Sequence, residues 1–381
     1  MSIWIVMLVV MFTMLGMRGS KIVVSLLALD LGASQLLVGV IVALYSLLPM
    51  FLGLYAGKLT DRMGVRWPII CGCVGIAIGL LIPGISPTLP MLFVSAAAIG
   101  AAHIFYNVSV QNLIGMLSSD ENRARNYSNF ALMMSVSTFI GPLASGVAID
   151  TLGHAYTYLM LAAGPLVAVM IMLGAGPFAM PRAANARKGK GDDEGPTLQG
   201  FGLLANRPLR RVLIMSGILL TGIDLLQFYM PIYGHSIGMS ASKIGMVMAS
   251  FAAASFVVRL WMPAIIRRVG ENNVLTGALV VAAVTYLIIP WVSDVLLLCT
   301  ITFVLGLGMG CSQPLAMMMI YNRAPPGQSG EALGLRQTIN HFTHMAVPLT
   351  FGAIGTAFGV MPVFAINALM LAGSGYLSHK K

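Results

Sequence analysis

The chain has 381 residues, of which 58% are hydrophobic and only 9% are charged, and its mean hydropathy is +0.88. Soluble domains carry about 25% charged residues, so this composition excludes an ordinary water-soluble protein. Repeated apolar stretches of about 20 residues are typical of membrane-spanning helices, whereas the strands of membrane barrels alternate between apolar and polar residues. We therefore expect an all-α membrane protein.

Apolar stretches of this length predict twelve membrane-spanning helices. They cover residues 3–29, 36–56, 68–84, 89–116, 127–149, 156–177, 210–235, 241–263, 273–290, 293–320, 331–358 and 360–377. Residues 181–209 are rich in glycine, proline and charged residues, which indicates a flexible cytoplasmic linker. We expect an N-terminal six-helix bundle over residues 1–180 and a C-terminal six-helix bundle over residues 210–381.

Lysine and arginine are distributed unevenly along the chain. If the N-terminus lies inside, 19 of the 22 basic side chains lie at inner ends and loops, and the exceptions are Arg18, Lys21 and Lys243. This asymmetry follows the positive-inside rule, so the net charge of +10 does not indicate a nucleic-acid partner. We expect a multi-pass protein of the cell (inner) membrane with both termini in the cytoplasm.

The four cysteines lie inside apolar stretches. Cys71 and Cys73 form a CGC pair, and Cys299 and Cys311 belong to span 10. A metal site would need more ligands around them than the sequence offers. We expect packing residues rather than disulfides, and neither a metal nor a cofactor.

The two halves of the chain repeat at a constant offset of 206 residues. The pairs related by this offset include Gly39 and Gly245, Gly64 and Gly270, Asn107 and Gln313, Pro142 and Pro348, and Gly146 and Gly352. One offset shared by several separate segments indicates an internal repeat. Two parallel six-span repeats are typical of one large class of transporters, in which the substrate lies between the halves near the membrane midplane.

The loop after the second span reads GKLTDRMGVR and resembles a motif of the major facilitator superfamily. The motif G-x-L-x-D-R-x-G-x-[RK] is matched at Gly57, Leu59, Asp61, Arg62, Gly64 and Arg66. The resemblance covers essentially the whole chain and implies twelve helices in two pseudo-symmetric bundles. It also implies that Asp61 contacts the inner end of span 11, near Gly330–Glu331, and holds the inner side shut; a carboxylate is favoured at a helix N-terminus. The alternative is an ordinary solvated turn.

Span 5 contains SVSTFIGPLASG, which resembles the signature G-x-x-x-G-P-x-x-G-G of superfamily members that exchange drugs or metabolites for protons. Gly141, Pro142 and Gly146 match this signature, and Ser137 and Ser145 stand where glycines are expected. Small residues of either kind allow close packing of helices. The resemblance implies the 12-helix drug/metabolite:proton antiporter group, and a generic contact of small residues is the alternative.

Arg18 and Asp224 are opposite charges inside spans 1 and 7, and the offset of 206 relates their positions. A charge at the centre of a bilayer is costly unless it is paired or hydrated. Three interpretations stay open. The two side chains form a structural tether between the halves, they form the working centre of the transporter, or they lie in a hydrated vestibule. In the second case Asp224 takes up and releases a proton, and Arg18 holds an anionic group of the substrate or Asp224 itself.

Further polar side chains lie in spans that the superfamily fold places around a central cavity. The candidates for contact with substrate or protons are Arg18, Asp224, Lys21, His103, Asn107, Gln111, Gln227, Gln313 and His344. His103, Asn107 and Gln111 recur every four residues and share one helix face. His344 is a candidate second proton site because histidine titrates near neutral pH.

These observations predict a secondary active transporter rather than an enzyme, because no metal triad, nucleophile elbow or cofactor loop occurs and no catalytic residues are expected. We expect a proton-coupled exporter of small amphipathic or anionic organic compounds that works by alternating access. Its partners would be the substrate, protons and the lipid bilayer, and it would be a monomer. Proton-coupled uptake of an organic anion is the alternative, and a transporter-like receptor that moves nothing is a third possibility of a different class.

Overall fold

The structure is a computed structural model that describes residues 3–119, 121–174, 203–325 and 328–379. These residues form thirteen α-helices and no β-strand, which confirms the predicted all-α membrane fold. The helices are α1 (Ile3–Asp30), α2 (Gln35–Met63), α3 (Arg66–Ile85), α4 (Leu89–Met116), α5 (Arg123–Leu152), α6 (His154–Gly174), α7 (Arg207–Ser236), α8 (Ala241–Val269), α9 (Glu271–Ile288), α10 (Val295–Met309), α11 (Ser312–Arg323), α12 (Ser329–Phe358) and α13 (Val360–His379). Ten stretches are long and apolar enough to cross a membrane, and a shorter apolar stretch lies in α13. Residues 181–202 of the predicted linker, which was placed at 181–209, lie outside the described residues.

The helix ends repeat at the offset predicted from the sequence. Six glycines adopt a positive φ between consecutive helices, and the offset of 206 pairs them as Gly32 with Gly238, Gly64 with Gly270, and Gly153 with Gly359. Only glycine adopts this backbone conformation at low cost, so each pair ends the preceding helix in the same way in both halves. Each of these glycines lies in a short connection between two helices.

The predicted span over residues 293–320 is confirmed as one apolar stretch, Val295–Ile320, and a break at residues 310–311 divides its helix into α10 and α11. The cause is Pro314, which has no N–H to donate to the carbonyl of Gly310, four residues earlier. That carbonyl instead accepts a hydrogen bond from Arg259 Nε on α8 at 2.9 Å. Arg259 Nη1 also donates to Ser135 Oγ on α5 at 3.0 Å. A single guanidinium therefore holds the break and connects the two halves of the chain.

Arg259→Ala is expected to lower the unfolding temperature of the purified protein, because the buried Gly310 carbonyl loses its donor at a cost of about 1–2 kcal/mol. In a Pro314→Ala background the new N–H can pair with that carbonyl, so the same substitution should then cost much less. Thermal unfolding in detergent of the unsubstituted protein, the two single variants and the double variant measures the coupling between Arg259 and Pro314. Ser135→Ala, which removes only the bond to α5, is the control, and equal losses in both backgrounds would contradict the assignment.

Helices α1–α6 pack mainly against one another, and so do helices α7–α13. The two groups meet along α2 and α12 and along α5 and α8, with a further contact of α1 with α7. Close backbone approach at these interfaces requires glycine. A Cβ on Gly39 would lie 2.2 Å from the carbonyl oxygen of Pro348, and one on Gly245 would lie 2.7 Å from that of Pro142. The offset of 206 relates these two contacts as well.

Hydrogen bonds join the two groups of helices at one end, which we call the closed end and which contains the connections at residues 31–34, 153 and 237–240. Asp150 accepts bonds from the N–H groups of Ala241 and Ser242 at the N-terminus of α8, at 3.0 and 2.8 Å. At the equivalent place, Thr356 Oγ1 accepts a bond from the N–H of Leu36 at 2.8 Å.

Histidines add to the closed end. Asp30 Oδ1 lies 2.9 Å from His235 Nε2, and its other carboxylate oxygen lies 3.5 Å from His154 Nε2. Among the residues that the structure describes, every hydrogen bond between the two groups except the one from Arg259 to Ser135 lies at this end. The remaining length of the interface is therefore free to enclose a cavity.

Candidate functional site

A cavity of about 520 Å³ lies between the two groups of helices. Eight of the nine predicted contact residues line it: Arg18, Lys21, His103, Asn107, Asp224, Gln227, Gln313 and His344. Gln111 is the exception, because its side chain is exposed and donates instead to Asn107 Oδ1 at 3.2 Å. Gln111 is therefore one turn beyond the lining residues of α4, and its contact with substrate or protons stays a prediction.

Asp224 and His344 are in hydrogen-bonding contact in the wall of the cavity. His344 Nδ1 on α12 lies 2.6 Å from Asp224 Oδ2 on α7. The carboxylate side chain is 11% exposed and the imidazole 37%, so the histidine is the member of the pair that the cavity can reach. Histidine and aspartate in contact can exchange a proton with each other and with water.

The structure therefore pairs Asp224 with a residue other than the one related to it by the repeat. No ion pair within 4.0 Å joins Arg18 to Asp224, although both are described residues. Asp224, Arg18 and Lys21 nevertheless line the same cavity. A direct structural tether between Arg18 and Asp224 is thus absent from this conformation.

Arg18 and Lys21 line the cavity without a hydrogen-bond partner for their charged groups among the described residues. Arg18 Nε is buried and unpaired. The helix packing around them is tight, because a Cβ on Gly141 would lie 3.1 Å from Arg18 Cβ. The small residue in the span-5 motif therefore lets α5 pack directly beside the charged stretch of α1. Ser25, one turn beyond Lys21, is buried and bonds back to the Lys21 carbonyl at 2.9 Å, so the charged face ends there.

Helix α12 supplies a second polar surface beside the Asp224–His344 pair. Gln337, Asn340 and His341 line the cavity, and Asn340 Nδ2 donates to Gln337 Oε1 at 3.3 Å. Arg336 Nη2 donates to the side-chain carbonyl of Gln313 and to its backbone carbonyl. The i, i+4 pattern of this stretch indicated shared helix faces, but it did not show which face would meet α7 and which would meet α11.

Apolar side chains form the rest of the wall. They include Met17, Phe130, Met134, Leu220, Phe251 and Phe256. The cavity therefore combines a charged surface with an aromatic and methionine-rich one. Methionine adapts its shape to different apolar partners. Arg259 also lines the cavity, and its role was missed because the sequence indicated only a basic residue near a helix end.

The predicted gating loop is described in part. Gly64 adopts φ 76°, Arg62 is exposed, and Arg66 donates to the carbonyl of Met172 near the end of α6 at 3.4 Å. The side chains of Asp61 and Glu331 are not among those that the structure describes. The contact of Asp61 with the start of α12 therefore stays a prediction.

The span-5 motif lies between α1 and α8. A Cβ on Gly146 would lie 2.4 Å from the carbonyl oxygen of Ala241, and one on Gly141 would lie 3.0 Å from the backbone nitrogen of Gly19. Pro142 exposes its carbonyl to Gly245. The motif thus occupies the interface that closes one end of the cavity. Within the described ranges, no group of three or more His, Cys, Asp or Glu residues is arranged to hold a metal.

Comparisons with a family model, with related sequences and with solved structures agree with one another. The family model of the Major Facilitator Superfamily matches residues 6–348 and, in a second match, residues 239–378. The chain is 24% identical to the class C tetracycline resistance protein of Escherichia coli over 84% of this chain and 80% of that protein. It is 19% identical to the quinolone resistance protein NorA of Staphylococcus aureus (strain COL) over 90% and 87%. A crystal structure of a variant of the peptide transporter POT has a TM-score of 0.82 and 15% identity, covering 99% of this chain and 93% of that one. The matched proteins are transporters and not enzymes, as the sequence predicted.

Proposed function

This chain belongs to the major facilitator superfamily, and from that membership we propose a secondary active transporter that couples the movement of a small amphipathic or anionic organic compound to protons. The observation that carries this proposal is the Asp224–His344 pair in the wall of the cavity between the two halves. A titratable pair at that place is accessible to protons and to a bound solute alike. The binding residues would be Arg18, Lys21, His103, Asn107, Gln227 and Gln313.

Transport would proceed by alternating access, with residues 1–180 and 210–381 rocking as two bundles about the cavity. Opening the closed end requires that the glycine contacts and the bonds of Asp150 and Thr356 separate. The gating loop around Gly57, Asp61, Arg62, Gly64 and Arg66 would close the opposite end. The excess of lysine and arginine on that side supports its placement in the cytoplasm, with both termini, in the cell (inner) membrane.

Two directions of transport have separate support. Export in exchange for protons is supported by the span-5 motif and by the names of the two resistance proteins. Proton-coupled uptake of an organic anion is supported by the unpaired cationic groups of Arg18 and Lys21 in the cavity. Both directions use the same site and the same proton-carrying pair.

Reconstituted protein tests the proposal. Liposomes that contain a pH-sensitive dye receive pooled drugs or pooled organic anions, and the dye reports proton movement. We expect a substrate-dependent pH change with at least one pool. Saturable ligand binding without proton movement or counterflow would contradict proton-coupled transport and would instead support a transporter-like receptor.

A further inference from the structure

We infer that the cavity binds an amphipathic organic anion together with a proton, so that both cross the membrane in the same direction. This inference rests on the proposed function and names its substrate class and the sign of its coupling. It starts from the side chains that face the cavity from every surrounding helix.

The charged lining of the cavity is mainly cationic. Arg18 and Lys21 come from α1, Arg259 from α8, and Asp224 is the one carboxylate among the described lining residues. The other titratable lining groups are Tyr45 on α2, His103 on α4, and His341 and His344 on α12. The described lining residues of α5, α10 and α11 carry no charge. With the histidines neutral, three positive charges therefore face one negative charge.

Two of these charged side chains have hydrogen-bonding partners in the part of the protein that the structure describes, and two have none there. Arg259 is held by the Gly310 carbonyl and by Ser135 Oγ, and Asp224 is held by His344. Arg18 and Lys21 have no hydrogen-bonding partner among the described residues, and Arg18 Nε is buried. An unpaired cation in a membrane interior is costly, so a site that keeps two of them has an anion as its complement.

The space beside Arg18 and Lys21 suits an anionic oxygen. A small side pocket of about 20 Å³ is lined by four polar side chains and four apolar ones: Arg18, Lys21, Thr138, Gln227, Pro142, Leu226, Met248 and Phe251. That volume holds about one water-sized group. Guanidinium and ammonium groups donate strong hydrogen bonds to carboxylate, sulfonate or phosphate oxygens. Phe251 lines the side pocket and the main cavity, so an apolar body attached to the anion can pack against the aromatic wall.

The sign of coupling follows from electrostatics. While Asp224 is ionised, its negative charge lines the same cavity as Arg18 and Lys21 and competes with a bound anion for their positive charges. Uptake of a proton by the Asp224–His344 pair removes this competition and raises the affinity for the anion. By linkage, the anion raises the affinity for the proton to the same extent. One anion and one proton carry no net charge together. A cationic substrate would give the opposite sign and hence exchange, so the cavity favours proton-driven uptake over exchange.

Binding measurements with matched probes test the substrate class. Phenylbutanesulfonate is a permanent anion, phenylbutyltrimethylammonium a permanent cation, and phenylbutanol is neutral, so any pH dependence belongs to the protein. Calorimetric titration of the purified protein is expected to show the tightest binding for the sulfonate, with an affinity that rises as the pH is lowered, because the anion and the proton favour each other's binding. Tighter binding of the cation, binding of none of the three, or an affinity for the sulfonate that falls with falling pH would overturn the inference.

Two arginine variants separate a binding role from a structural one. Arg18→Gln is expected to weaken sulfonate binding about 10- to 100-fold, the range for loss of a charged hydrogen bond. Its unfolding temperature without ligand should stay the same or rise, because Arg18 Nε has no partner to lose. Arg259→Gln removes the same charge from the same cavity and should weaken binding far less. A lower unfolding temperature of Arg18→Gln with unchanged binding would show a structural role and overturn the anion site.

Transport by liposomes tests the sign of coupling. An inward gradient of phenylbutanesulfonate should acidify the lumen, since the anion brings a proton with it. Lumenal alkalinisation would overturn co-transport while leaving proton coupling intact. Sulfonate movement without any pH change would instead contradict the proposed proton coupling itself. The two failures are therefore distinguishable in one assay.

Discussion

Asp224→Asn is expected to abolish proton-driven accumulation of substrate while leaving the protein folded in the membrane. Asparagine keeps the shape and a hydrogen-bond acceptor for His344 but cannot exchange a proton. For one proton per substrate, each unit of pH gradient drives about tenfold accumulation, and the variant should show about none. Flux assays in liposomes with an imposed pH gradient measure this. Exchange of substrate at equal pH on both sides should persist, because the cavity and its cations remain.

The control is Asp294→Asn, the same chemical change at an exposed helix cap of the same half. It should leave accumulation unchanged. Asp224→Asn and His344→Gln should be non-additive in this assay, because the two side chains lie 2.6 Å apart and act as one titrating pair. Full gradient-driven accumulation in Asp224→Asn would end its role in coupling.

Gly39→Ala is expected to force the closed end apart. Its Cβ would lie 2.2 Å from the backbone carbonyl oxygen of Pro348, and backbone cannot rotate away as a flexible side chain can. Overpacking of this kind costs about 1–3 kcal/mol, which shifts the equilibrium between the two access states about 5- to 150-fold. Transport should fall strongly because the closed state is part of every cycle. Gly245→Ala, related to Gly39 by the repeat, should act in the same way at the interface of α5 with α8.

Spin labels at the exposed positions 36 and 358 would measure the distance between the start of α2 and the end of α12. The four native cysteines are first replaced so that only these positions are labelled. We expect a longer distance in Gly39→Ala. Gly277→Ala is the matched control, since it is also a helical glycine but its added Cβ meets nothing within 4 Å. An unchanged distance and unchanged transport in Gly39→Ala would show that this contact does not control opening.

Sequence alone determined the features that depend on local pattern. The apolar stretches identified a membrane protein with twelve predicted spans. The loop motif after the second span indicated the major facilitator superfamily, and the family match confirms it. The offset of 206 related Gly39 to Gly245 and Pro142 to Pro348, and the structure adds that Gly39 contacts Pro348 and Gly245 contacts Pro142. Hydropathy and internal repeats can be read directly along the chain, so predicting them does not require knowing which helices pack together.

The tertiary structure decided how those helices meet. The repeat suggested that Asp224 faces Arg18, but packing of α7 against α12 pairs it with His344 instead. Periodicity placed Gln111 on the face of His103, and in the structure its side chain is exposed and donates to Asn107 Oδ1. The sequence showed that Pro314 has no N–H to offer the carbonyl of Gly310. It did not show that Arg259, 51 residues before Gly310, donates to that carbonyl instead. Helix association in a membrane depends on close van der Waals fit and on hydrogen bonds between helices. That fit involves residues distant in the chain, and no local pattern encodes it.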